Sequence, residues 1–148
     1  MTYPDFEPGR VILYAWVRGH PRTKGSKSGR PNGTVTETKL SLKWAGILED
    51  GLRLALPDGW RPIPRPWLVD GRIVVHVPFD DVTARGAGDG DKHLRQVWDA
   101  LTRAGLWQDD AQGWGWPVYQ VTANDRRGPG VEVWAWVTTG ELCLSTSG

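Results

Sequence analysis

The chain has 148 residues, with 18 Lys and Arg against 17 Asp and Glu for a net charge of +1. That length makes a single domain with its own core the simplest organisation, and the balanced charge taken alone points to no polyanion partner. The one cysteine, Cys143, excludes an internal disulfide and a Cys-based zinc site, which fits a reducing cytoplasm.

The expected domain covers residues 1–148, with a core from about 11 to 138 between a short leader and a tail. The leader lacks the charged start and apolar stretch of a signal peptide. No apolar run approaches the ~18 residues of a membrane span, so the expectation is a soluble cytoplasmic protein with no membrane partner. Val11–Val17 is rich in β-branched and aromatic residues and predicts a first strand. From Gly19 to Thr36 the chain turns to Gly, Pro, Ser and basic residues, which predicts a polar loop. Arg18, Arg22, Lys24, Lys27 and Arg30 lie there with no acid until Glu37, a local positive field despite the neutral total.

Leu40, Trp44, Ile47, Leu48, Gly51, Leu52 and Ala55 recur at helical spacing, predicting an amphipathic helix over about 38–56 that ends at Pro57-Asp58-Gly59. Residues 60–67, with three prolines and two tryptophans, predict an irregular connection. Arg72–Phe79 is the second strand, on which His76 is expected to be an ordinary, partly buried residue. Trp116–Thr122 and Gly130–Val137 read as a pair of strands joined by the polar turn Asn124 to Pro129. In the last of these, Val131, Val133, Ala135 and Val137 alternate with Glu132, Trp134 and Trp136, giving an aliphatic face and an indole face. The ten tryptophans are expected mostly in the core or at a subunit interface, with stacking on bases as the alternative for some. The order β-α-β-α-β-β predicts an α+β fold, a small two-layer domain with two main helices on one face of a mixed sheet.

Chemistry concentrates between Gly88 and Asp110, where five of the seventeen acidic residues fall in one unit. Asp91 can cap a helix whose apolar face is Leu94, Val97, Trp98, Leu101 and Ala104, and Gly105 can end it. Asp91, Arg95 and Asp99 then share an adjoining stripe, each four residues from the next. Asp89 and Asp91 project the same way if the Asp-Gly-Asp segment is extended. Leu106-Trp107 start an extended segment that brings Asp109-Asp110 back. Converging carboxylates repel unless a cation neutralises them, and hard oxygen donors without Cys or a His cluster suit Mg²⁺ or Mn²⁺. The alternatives are a turn and cap at Asp89 and Asp91, a solvated turn at Asp109-Asp110, and a surface ion pair of Asp99 with Arg95 or Arg103. A calcium EF-hand loop fits poorly, because His93 and Leu94 stand where it needs an oxygen ligand and a glycine.

The order Asp89-x-Asp91-x-x-x-Arg95, Asp99-Ala100-Leu101-Thr102 and Ala104-Gly105-Leu106-Trp107-x-Asp109-Asp110-x-Gln112 resembles the signature of the RusA family of Holliday junction resolvases. Gly19-x-Pro21-x-x-Lys24-Gly25 resembles that family's early G-x-P-x-x-K element. The resemblance implies a RusA-like fold and a Mg²⁺-dependent endonuclease that nicks opposed strands of four-way or branched DNA as a homodimer. It implies Asp89, Asp91 and Asp110 as metal ligands and Arg95 as the essential basic residue. The basic loop and Lys92 would contact DNA, Asp99 would be structural support, and the indole face of the last strand is one candidate dimer surface. Two positions depart from the family. Arg95 replaces its Lys, which keeps the charge and a bidentate grip but not a useful proton, and Lys92 replaces its Asn.

Overall fold

The computed structural model describes residues 9–22, 31–78, 90–124 and 126–138, with side chains from residue 39 onward in the first helix. The elements in order are β1 (Val11–Arg18), α1 (Pro31–Ala55), β2 (Leu68–Val77), α2 (Gly90–Ala104), a short 3-10 helix (Asp110–Gln112), β3 (Val118–Thr122) and β4 (Gly130–Thr138). The expected α+β, two-layer arrangement is what forms, a four-stranded mixed sheet in the order β1-β4-β2-β3 with both helices packed on it. β4 runs antiparallel to β1 and β2, and β3 runs parallel to β2. The pair of strands expected at 116–137 is therefore not a hairpin, because β2 lies between β3 and β4. The turn from Asn124 to Pro129 instead carries the chain across β2.

The period-two alternation decides which side of the sheet is dry. Leu13, Ala15 and Val17 of β1, Val69, Ile73, Val75 and Val77 of β2, and Val131, Val133, Ala135 and Val137 of β4 all face the helices and are buried. Trp44, Leu48 and Leu52 of α1 and Val97, Ala100 and Leu101 of α2 meet them. The other sheet face carries Tyr14, Trp16, Arg72, His76, Glu132, Trp134 and Trp136. Glu132 is its polar centre: Tyr14 donates to it at 2.7 Å, His76 pairs with it at 2.7 Å, and Arg127 lies 3.3 Å away. Burial pushes the Glu132 carboxyl up, but the bonds from Tyr14 and His76 and the charge on Arg127 outweigh it, so it is held below its ordinary value. His76 is thus the partly buried strand residue expected.

The bounds of α1, β2 and α2 differ from the sequence reading. α1 begins at Pro31, inside the expected loop. Proline fits the first helical position because its missing N–H would be unpaired there, whereas Gly33 and the run Thr34-Val35-Thr36 are weak helix formers that hide the start. β2 begins at Leu68 rather than Arg72 and ends at Val77. Asp70-Gly71 looks like a breaker in the sequence, yet Gly71 is a strand residue. A Cβ there would lie 2.6 Å from the Trp116 ring, whose indole fills the space and donates to the Val69 carbonyl at 2.9 Å. α2 begins at Gly90, so Asp91 lies in its first turn rather than at the cap. Its C-terminus behaves as expected: Gly105 has φ +91 and both Gly105 and Leu106 N–H groups bond back to the Leu101 carbonyl.

Candidate active site

The turn bearing Asp109 and Asp110 is held by the connection 60–67 and by one side chain. Ile63 is fully buried, donates to the Leu106 carbonyl at 2.9 Å and accepts from the Gln108 N–H at 3.2 Å. Gln112, only 3% exposed, sits behind the turn. Its Oε1 accepts from the Gln108 and Asp109 N–H groups, each at 3.0 Å, and its Nε2 donates to the carbonyls of Ile63 and Trp67 at 2.9 and 3.0 Å. The spacing Asp109-Asp110-x-Gln112 is thus a capping box closing one turn of 3-10 helix. Asp109 is its cap, accepting from the Ala111 N–H at 3.0 Å and pairing with Arg65. That leaves Asp110 as the exposed carboxylate of the pair.

The two neighbours are shifted in opposite directions. Asp109 is held below its ordinary value, first by the Ala111 N–H, then by a hydrogen bond with Asp110, with Arg65 adding to it against desolvation. Asp110 is pushed up, first by that same hydrogen bond, then by desolvation, then by the charges of Asp109 and Asp99. A carboxylate that resists ionising because others crowd it is one that a cation would favour.

The second half of α2 supplies the facing wall. Ala100 and Leu101 point into the core, which turns Asp99 outward. Thr102 accepts from the Trp107 indole at 2.7 Å and donates to the Trp98 carbonyl at 2.9 Å, locking helix to turn. Asp99, Thr102, Arg103, Gln108, Asp109 and Asp110 line a cleft of about 330 Å³. The surface ion pair expected for Asp99 does not form: Arg103 approaches Glu49 at 4.0 Å instead, and Asp99 contributes to the field on Asp110.

Among the expected site residues, Asp91 and Arg95 are exposed on the outer stripe of α2, as their spacing required. Asp91, in the first turn of the helix, is about 12 Å along the axis from Asp99. Asp110 is brought to Asp109 and Asp99, and Asp91 is not among the groups that shift it most. Asp89, Lys24, Lys27 and Arg30 lie outside the described residues. Among the described residues no three His, Cys, Asp or Glu side chains converge to hold a metal. The donor chemistry at Asp110 nevertheless suits a hard divalent cation, because its proton affinity is raised by carboxylate neighbours.

Beside the acidic cleft, and sharing Asp99 and Arg103 with it, a groove of about 620 Å³ runs between α1 and α2. Lys92, Arg95 and Gln96 form much of its α2 wall. Gln96 is a residue the sequence reading missed. Its Oε1 accepts from the Trp44 indole at 3.0 Å and its Nε2 donates to the Arg22 carbonyl at 2.6 Å. That bond ties the start of the basic segment to the groove. Gly19 and Pro21 prepare the same approach: Pro21 is buried, and a Cβ on Gly19 would lie 2.7 Å from the Trp44 ring. Arg18, at the end of β1, has its guanidinium beside the Gly128 turn. No helix of the described residues is long and apolar enough to cross a membrane.

In comparisons with known proteins, no family model matches the chain and no curated sequence matches it.

Proposed function

We propose that the chain is a metal-dependent, structure-selective endodeoxyribonuclease of the RusA type that resolves Holliday junctions by paired nicks, in DNA recombination and repair. The observation that carries this reading is the adjacency of two unlike surfaces: an acidic cleft at Asp99, Asp109 and Asp110, and a groove with Lys92 and Arg95 on its wall. Among the described residues neither cation forms an ion pair, which leaves them available to phosphate. The order of motifs from Gly19 to Gln112 supports the same reading.

The resemblance would put Mg²⁺, or Mn²⁺ in its place, on Asp89, Asp91 and Asp110, of which Asp110 is the one that borders the acidic cleft among the described residues. Bound there, such an ion lowers the pKa of a water and neutralises phosphate charge. Arg95 stabilises charge that develops on the phosphorane-like transition state, its guanidinium being a fixed donor rather than a proton source. Lys92 adds a second positive charge one turn away. The leaving group is the 3′-hydroxyl, so the product retains a 5′-phosphate. Arg18, Arg22 and the basic residues Lys24, Lys27 and Arg30 contact backbone phosphates without reading sequence. A homodimer suits a junction that has its own twofold symmetry.

The reading is tested with Asp110→Asn and Asp91→Asn on a synthetic mobile junction with Mg²⁺. Both variants should bind the junction and leave it uncut. Full cleavage by either removes that residue from the site. A second reading, a branched-DNA-binding protein of the same fold without catalysis, is favoured by Arg95 standing for Lys; it predicts binding without products, and products on Arg95→Lys.

A further inference from the structure

The groove between α1 and α2 offers more than a phosphate contact would use. Opposite Lys92 and Arg95, its α1 wall is Ser41, Leu42, Ala45, Gly46 and Glu49, with Leu42, Ala45 and Gly46 as its apolar part. Leu42 is 61% exposed, on a helix whose other face is in the core. A Cβ on Gly46 would meet nothing within 4 Å, so the groove is open along that stretch. A volume of about 620 Å³ falls in the range of sites that enclose a small organic ligand. Gln96, tied to Trp44 and to the Arg22 carbonyl, fixes the junction between the two walls.

One wall thus offers an apolar part at Leu42, Ala45 and Gly46, and the other carries Lys92 and Arg95, neither of which forms an ion pair among the described residues. A base in a duplex shows only its edge in a groove; its apolar faces are covered by its neighbours. They become available when the nucleotide leaves the stack, which costs least where pairing is already interrupted. We propose that this groove takes an unstacked nucleotide of the branch point, its base against Leu42, Ala45 and Gly46 and its phosphate on Arg95 and Lys92. The inference rests on the nuclease reading above and deepens it, since it names the feature of branched DNA that the chain selects. Duplex DNA has no such nucleotide to offer, so selectivity for branched DNA follows without any contact that reads sequence.

The test uses the whole chain, in EDTA so that strands stay intact, with four-way junctions carrying 2-aminopurine at the branch point. Binding should raise the 2-aminopurine emission, as the base leaves the stack. Gly46→Leu places a side chain in the open groove; it should abolish the rise and weaken junction binding on the order of tenfold. Leu42→Ala removes the wall instead of blocking the space, and its exposure keeps the core out of the experiment; it should reduce the rise. Junction binding with flat emission, or both variants behaving as wild type, overturns the groove assignment while leaving the cleavage reading in place. Failure of the wild-type chain to bind junctions at all overturns both, so the two failures are told apart.

Discussion

Replacing Gln112 by Leu keeps most of the side-chain volume and deletes four hydrogen bonds at once. The Trp67 carbonyl and the Asp109 N–H lose their partner, and the Ile63 carbonyl and Gln108 N–H keep only the 3.2 Å bond between them. A typical bond of this kind contributes a net 0.5–1.5 kcal/mol, giving about 2–6 kcal/mol for four. The Asp109 N–H lies at an exposed turn and regains water, and the Ile63 carbonyl keeps its bond from Gln108, so the expected loss is in the lower half of that range, about 3 kcal/mol. For a chain of this size that lowers the melting temperature by roughly 6–12 °C. Gln112→Glu keeps the acceptor but sets a carboxylate oxygen against two carbonyls, so it should cost at least as much near neutral pH. Thermal unfolding followed by near-ultraviolet circular dichroism measures both. A loss below about 1 kcal/mol in Gln112→Leu would show that the turn holds Asp110 without this clamp.

Gly19→Ala drives a methyl group to 2.7 Å from the Trp44 ring, and overpacking of that kind should cost about 1–3 kcal/mol in denaturant titrations, with junction affinity falling as Trp44 and Gln96 shift. Glu132 is held below its ordinary 4.5, so its stabilisation is whole above that pH and is lost as pH falls through the lower folded value. Glu132→Gln should therefore flatten the acid limb of the stability curve below about pH 4.5, and an unchanged limb would remove Glu132 from that role. Arg95→Ala should abolish cutting and reduce the salt dependence of junction binding by about one counterion, whereas an unchanged slope would take Arg95 off the phosphate.

How much was legible in the sequence follows the physics of each element. Period-two alternation gave β4 and its two faces correctly, because every second residue is aliphatic and the strand is central. Helical spacing gave the outward stripe of Asp91, Arg95 and Asp99. The buried face of α2 was only partly legible: His93 and Ala100 are buried as well, since the helix packs against both sheet and α1. Strand order was not legible, because a polar turn such as Asn124–Pro129 can close a hairpin or cross a neighbouring strand equally well. Within the site, the closeness of Asp99 to Asp110 and the role of Gln96 depend on how α1, α2 and the 3-10 turn pack, which no local spacing encodes. At Gly71 tertiary context, the Trp116 ring, overrides propensity, whereas Pro31 opens its helix at the position where proline fits locally.

The central claim is that the acidic cleft and its cationic groove cut branched DNA. A mobile four-way junction with each strand end-labelled in turn, incubated with the whole chain and Mg²⁺, tests it most directly. The account predicts symmetric nicks in one opposed pair of strands, products with 5′-phosphates that a ligase seals, and no cutting in EDTA. Intact junctions after incubation with both Mg²⁺ and Mn²⁺, under conditions where the junction is bound, would contradict it.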